Sequence, residues 1–404
     1  MALKAGSNYQ LNLIWAIFFS ILACIILQES VSRITITSGL TLGEAIQKKY
    51  GRGRIINYNI LLTAAVIFGC TAYQAGNITG AVRGVQLAVN TQKLAIVLSI
   101  FIFAFGLMWI ERLKLITSIL GILVSIMALL FLLMSMKTNF SASDIILSFV
   151  QPKIPRSSSI LIIGLIGTTI VPYNLFMGSG LSRNRDLKST RYGLTGAILL
   201  GGLITIFILI TGTIIQGEFS FDSISSTIQT EIGKWGTFAF ATGLFAAGFT
   251  SSVTAPLAAA ITARTIWPNS NTRHQRSIYR LTWITVLSIG TLFSLLDYHP
   301  VFIIIMAQVI NGLILPFVAL SIFFVINDKR IISAKYKNGV IANMVLMLVV
   351  GMTIFLGIFH LVSVGMNILN VISGIPYEMI IAGIISLIII LIMAIHISRN
   401  RNPV

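Results

Sequence analysis

Runs of apolar residues long enough to cross a bilayer recur along nearly the whole chain, and no other feature limits its fold so strongly. About 20 apolar residues in a helix span the hydrocarbon. Charge-poor stretches bounded by Gly, Pro and basic clusters lie near residues 9–38, 55–82, 93–110, 113–136, 158–181, 190–216, 234–264, 276–296, 300–325, 338–362 and 377–397. Hydrocarbon offers no partner for backbone N–H and C=O groups, so an open chain crosses it as helices. Only 10% of the residues are charged, whereas a soluble domain carries about a quarter. The expected fold is an all-α integral membrane bundle of about eleven spans in a lipid bilayer. The linkers are short, and no separate soluble domain is expected.

The net charge of +17 raises nucleic acid as a partner, but its distribution argues against that. Basic residues cluster in every second loop. One set holds Lys48, Lys49, Arg52, Arg54, Arg112, Lys114, Arg183, Arg185, Lys188, Arg191, Arg264, Arg273, Arg276, Arg280, Lys329, Arg330, Lys335, Lys337, Arg399 and Arg401. The alternate loops hold Lys4, Arg83, Lys93, Lys137, Lys153, Arg156 and Lys234, and Arg33 falls within a span. Basic loops stay in the cytoplasm, which puts the C-terminus inside and the N-terminus outside. Residues 1–10 have no signal-peptide pattern. Short loops without targeting segments fit a bacterial inner membrane.

The stretch "GTTIVPYNLF", residues 167–176, breaks one of these spans. Pro172 has no N–H and clashes with the carbonyl four residues back, so acceptors near Thr168 lose their intrahelical donor. Two readings are open: a proline kink repaired by neighbouring helices, or a cation bound to the freed carbonyls. Glu29 and Arg33 are four apart, with the acid N-terminal, the favourable order for an ion pair within one helix. In-membrane charges can mark ion pathways, and here a self-neutralising structural pair is at least as good a reading. His274, His299, His360 and His396 show no metal-ligand spacing and read as lone interfacial residues. Cys24 and Cys70 lie in apolar segments as small hydrophobes. "FSFDSISSTIQTEIGKW", residues 219–235, reads as a short external amphipathic helix with Phe221, Ile224, Ile228 and Ile232 on one stripe.

Several motifs, in order along the chain, resemble the Nramp family of divalent-metal transporters. The opening "ALKAGSNYQLNLIWAIFFSILACIILQESVSRITITSGLTLGEAIQKKYG" resembles its second transmembrane helix and following loop. "GTTIVPYNLF" looks like its sixth-helix signature, usually Ala-Thr-Val-Met-Pro-His-Asn. "GLFAAGFTSSVTAPLAA", residues 243–259, looks like its eighth helix and "AQVINGLILPF", residues 307–317, like its tenth. The resemblance implies a LeuT-like inverted-repeat bundle: residues 1–136 as the remainder of the first repeat, 157–325 as the second, and 338–397 as two additional helices. The first family helix, with its Asp-Pro-Gly-Asn, would precede Met1 and is expected to be missing. In such folds a broken helix coordinates the ion at mid-membrane. By resemblance, Thr168 offers its carbonyl and Asn174 is a further candidate. Gln308 matches a family glutamine that approaches the metal, or else is a buried amide joining helices.

Departures from the family pattern point toward altered chemistry. Val171 stands where the family has methionine, which removes a soft thioether and weakens the preference for manganese and iron over magnesium. Tyr173 replaces histidine and does not titrate near neutral pH. Gln74 and Asn77 stand where the third family helix carries Asp-x-x-Glu, and they either bridge helices or mark a proton route without charge. The expected function is secondary transport of a divalent cation, with proton coupling weakened or absent and no permanently bound cofactor. A transporter of a small organic cation or amino acid on the same fold, or an inactive fragment, are the alternatives. With no HExxH and no nucleophile–base pair, an intramembrane enzyme is not expected.

Overall fold

The computed structural model describes residues 1–50, 58–110, 114–215, 218–265, 271–296, 299–368 and 375–401. Arg52, Arg54 and Arg112 lie outside the described residues, as do residues 55–57, 113 and 216 at the edges of three expected spans. Along the chain run α1 (Ala2–Tyr9), α2 (Ile14–Ser38), α3 (Leu42–Tyr50), α4 (Tyr58–Ala88), α5 (Lys93–Ile110), α6 (Lys114–Ser135), α7 (Ala142–Val150) and α8 (Ser159–Thr169). Then follow α9 (Pro172–Ser182), α10 (Leu187–Gly212), α11 (Phe221–Ile232), α12 (Lys234–Arg264), α13 (Thr272–Leu295), α14 (Pro300–Ile326), α15 (Val340–Ile368) and α16 (Ile375–Arg401). No strand occurs among the described residues. Among the described residues, ten stretches are long and apolar enough to cross a membrane, and Gly121–Ser135 of α6 adds a shorter apolar helix.

The first expected span, 9–38, corresponds to a 3-10 turn and α2, and α1 is a further short helix ahead of it. Gln10 takes a φ of 53°, a 3-10 turn (Gln10–Leu13) follows, and α2 starts only at Ile14. A non-glycine residue at positive φ ends a helix. Backbone contact turns α1 against α10: a Cβ on Gly6 would lie 1.9 Å from the Leu209 carbonyl oxygen, and one on Gly212 2.2 Å from that of Leu3. Hydropathy does not report such a turn, because α1 (ALKAGSNY) is short and mixed in polarity.

The same small-residue contact joins the long central helices. A Cβ on Gly248 of α12 would lie 2.6 Å from the Ala81 amide nitrogen of α4, and one on Gly84 of α4 2.5 Å from that of Phe245. In lipid, where hydrophobicity does not drive helices together, close backbone approach supplies the dispersion contacts instead. α8 and α14 bury most of their surface, while α10 and α16 keep large apolar side chains such as Leu200 and Leu387 exposed, as lipid contact requires. The amphipathic stretch at 219–235 is α11, with Ile224 and Ile228 buried and a Ser220–Ser223 capping box at its start. The short helix α3 and the α14–α15 loop lie at the end that carries the basic loops, and α7 and α11 at the opposite end.

Candidate functional site

The break expected at Pro172 is present. α8 stops at Thr169, Ile170 turns to φ −105° and ψ 76°, Val171 is extended at φ −79° and ψ 122°, and Pro172 opens α9. Proline suits a first helical position because that N–H has no intrahelical partner in any case. Ile170 N–H still reaches the Ile166 carbonyl at 2.8 Å, and Asn174 N–H reaches that of Val171 at 3.0 Å. Pro172 brings no N–H to the Thr168 carbonyl.

Thr168 and Thr169 line a cavity of about 490 Å³ that extends from the break toward the end opposite the basic loops, walled by α1, α6, α10, α11, α12 and α14. Its walls are mainly apolar. Cys24 of α2 also lines it, its thiol donating to the Thr169 carbonyl at 3.7 Å. Sequence reading took Cys24 for a small hydrophobe; only the packing of α2 against the break gives it a place beside an exposed carbonyl.

Gln308 comes to the same region on α14. A Cβ on Gly167 would lie 2.2 Å from the Gln308 carbonyl oxygen and 2.6 Å from the Gly312 amide nitrogen, so the backbones of α8 and α14 touch just above the break. The Gln308 side chain is buried and its Oε1 has no hydrogen-bond partner. An unpaired buried amide oxygen costs about 1–3 kcal/mol, which a cation or a water-bound cation can recover. Val171 and Tyr173 are buried and Asn174 is half-buried at the start of α9.

Tyr173 packs edge-on against Tyr73 of α4, with ring centroids 5.5 Å apart and an interplanar angle of 74°. Gln74 is the next residue, and a rotation of about 100° per residue carries it off that face. Its Nε2 donates to the Ser252 carbonyl of α12 at 2.9 Å, and its Oε1 is buried without a partner. The Asn77 backbone carbonyl lies against Gly248 of α12, and its buried Nδ2 is also unpaired. The Gln74 amide thus bonds to α12 rather than to the break.

Below the break, α9 is tied to α2 and α3. Ser32 and Ser182 hydroxyls are 3.0 Å apart, Thr35 and Ser179 hydroxyls 2.7 Å apart, and Leu42 N–H donates to the Ser179 hydroxyl at 2.7 Å. Farther toward the basic end, Glu29 and Arg33 form the expected ion pair at 3.1 Å, but not as an isolated pair. Arg191 of α10 donates to Glu29 at 2.6 and 2.9 Å, and Arg33 donates to the Tyr336 carbonyl and to Asn338. His274 and His299 lie at the starts of α13 and α14. His360 is buried within α15 instead of at an interface, because it lies on the helix face turned to the bundle. No group of three or more His, Cys, Asp or Glu that could hold a metal occurs among the described residues.

The all-helical bundle, with its α8–α9 break at a cavity, shares its fold with solved membrane-transporter structures. A manganese transporter of Eremococcus coleocola superimposes with a TM-score of 0.69 at 17% identity, covering 99% of this chain and 89% of that one. Mhp1, a nucleobase-cation-symport-1 family transporter, matches with a TM-score of 0.53 at 15% identity. The bundle is thus of the LeuT-like inverted-repeat type. A family model described as Natural resistance-associated macrophage protein-like matches residues 1–363, and the chain belongs to this Nramp family. The divalent metal cation transporter MntH of Verminephrobacter eiseniae is 25% identical over 281 residues, which are 64% of this chain and 62% of that protein. MntH of Acidiphilium cryptum is 21% identical over 366 residues, 84% of this chain and 81% of that protein. These relatives carry the names of transporters, not enzymes.

Proposed function

We propose that this chain carries divalent metal cations across a membrane and binds them at the α8–α9 break. One observation carries the reading: Thr168 and Thr169 line the cavity, and Pro172 leaves the Thr168 carbonyl without a donor. The Gln308 amide oxygen, the Asn174 side chain and water would complete an oxygen-rich shell. The metal is cargo, not a resident cofactor.

Val171 contributes no thioether, so the donor set suits harder ions, and discrimination for manganese or iron over magnesium is weakened. Tyr173 and the Gln74 and Asn77 amides carry no charge near neutral pH, so family-type proton coupling is weakened or absent. The basic loops put the C-terminus in the cytoplasm and turn the cavity outward, with a bacterial inner membrane as the setting. Residues 1–136 and 157–325 then serve as inverted repeats, with 338–397 as two added helices.

The size and mainly apolar walls of the cavity, about 490 Å³, favour a second reading, a small organic cation or amino acid on the same fold. Uptake into proteoliposomes separates the two. Manganese and magnesium uptake at similar rates, unaffected by collapsing a pH gradient, is the expected result. Strict dependence on a proton gradient, or strong selection of manganese over magnesium, overturns the corresponding part of the proposal. No metal uptake, with accumulation of an organic cation, favours the second reading.

A further inference from the structure

At the basic end of the bundle, α5 and α13 meet at a corner that faces lipid. Trp109, in the last turn of α5, is 52% exposed, and the Arg280 guanidinium of α13 stacks over its ring at 4.8 Å from the centroid. Arg276 and Arg273 precede Arg280 by four and seven residues, so all three share one helix face. Arg273 and Arg276 are exposed, and among the described residues none of the three meets a carboxylate. Around α13 no acidic residue occurs in the sequence between Glu231 and Asp297, while Glu111, which follows Ile110 of α5, lies outside the described residues. Arg264, at the end of α12, lies beside them, bonded to Gln275 at 3.2 Å and over the Tyr279 ring at 5.8 Å.

Stacking on an aromatic face uses the π surface of a guanidinium and leaves its N–H edge free. That edge matches phosphate oxygens bidentately. The anchor on Trp109 also holds the Arg280 side chain in place, so less rotamer freedom is lost when a ligand binds. The first turn of α13 adds backbone N–H groups and the positive end of a 24-residue helix, capped by Asn271 through the His274 amide at 2.8 Å. Apolar side chains continue from the corner into the bilayer: Ile110 is 64% exposed and Leu281 69% exposed. An anion that also has apolar chains satisfies both halves of this surface.

We propose that the corner formed by Trp109, Arg273, Arg276 and Arg280 binds the phosphate headgroup of an acidic phospholipid, such as phosphatidylglycerol. The occupant is a lipid rather than a soluble anion because the arginines sit at the rim of exposed apolar helix surface, where a headgroup stands and its acyl chains lie along α5 and α13. The site is separate from the α8–α9 break and does not depend on which cargo is carried there.

The test is native mass spectrometry of the full chain released from bilayer discs of mixed phosphatidylglycerol and phosphatidylcholine. The unaltered chain is expected to retain phosphatidylglycerol preferentially, and each arginine lost is expected to lower that preference about fivefold. Arg276→Gln with Arg280→Gln should bring retention close to parity. Trp109→Leu keeps every charge but removes the stacking anchor, and should lower retention as well. Arg185→Gln with Lys188→Gln, which removes two exposed basic residues elsewhere on the same end, should leave it unchanged. Thermal unfolding in lipid-free detergent checks that the variants are folded, and Arg280→Lys replaces the double variant if they are not. Parity in the unaltered chain overturns the proposal, as does equal loss in the Arg185/Lys188 variant. Displacement of the lipid by inorganic phosphate at low millimolar concentration also overturns it, by making the ligand a soluble anion.

Discussion

Lys49 Nζ lies 2.9 Å from the Asp328 carboxylate, in a contact almost closed to solvent, and so clasps α3 to the end of α14. Lys49 also donates to the Phe324 carbonyl at 2.7 Å. Arg330 closes the carboxylate from the other side, with its Nε at 3.0 Å, its terminal nitrogen at 2.7 Å and its backbone N–H at 2.9 Å. The clasp lies at the basic end, opposite the cavity beside the break.

Asp328→Asn leaves the Lys49 ammonium buried without its counter-charge, and breaking one side of a buried pair costs about 3 kcal/mol or more. The variant is expected to unfold at a clearly lower temperature in detergent. An unchanged midpoint would mean that the clasp is not a stabilising contact.

The pH dependence of that difference has a definite sign. Burial alone raises the pKa of Asp328, but hydrogen bonds from Arg330 and then from Lys49 outweigh it and hold the carboxyl well below its ordinary range. Its folded pKa is therefore below its unfolded one, about 3.9. The stabilisation is fully present above the unfolded value and is lost as pH falls through the folded one. The gap in midpoint between the unaltered chain and Asp328→Asn should hold steady from about pH 7 to 5 and shrink below about pH 4.

Pro172→Ala restores an N–H that can reach the Thr168 carbonyl and mend the break. Uptake is expected to fall about tenfold, the equivalent of one lost coordination worth about 1.4 kcal/mol, while the melting temperature stays level or rises. Metal uptake measured beside thermal unfolding separates a lost site from a lost fold.

Gly167→Ala pushes a Cβ against the backbone of Gln308 and Gly312, neither of which can rotate away. Overpacking of this kind costs about 1–3 kcal/mol and should separate α8 from α14, lowering both stability and uptake. Gly196→Ala on the exposed face of α10 meets nothing within 4 Å and is the matched control, expected to leave both unchanged.

Tyr173→His puts an imidazole with an ordinary pKa of about 6.5 at the break. Uptake by this variant is expected to acquire a pH dependence between about pH 5.5 and 7.5 beyond that of the unaltered chain. A pH profile identical in both proteins would argue that Tyr173 does not face the transported ion.

Much of this was legible along the chain because the signals are local. Span length follows from hydropathy, and the break follows from the covalent structure of Pro172. The Glu29–Arg33 pair follows from helical spacing. What could not be read depends on which helix faces which. Gly6 gave no sign that α1 would fold against α10, and Gln74 gave none that it would point to α12 while its neighbour Tyr73 met Tyr173. Cys24 was indistinguishable in sequence from any apolar residue.

The sequence by itself determined a helical membrane bundle, its basic and non-basic ends, and a helix broken at Pro172, because all of these rest on local transfer energies and backbone chemistry. Tertiary structure alone decided that the interruption opens on a cavity, that Cys24 stands beside it, and that Lys49 and Asp328 clasp the opposite end. Those residues are more than a hundred positions apart in sequence, and only the packing of helices against one another sets their distances.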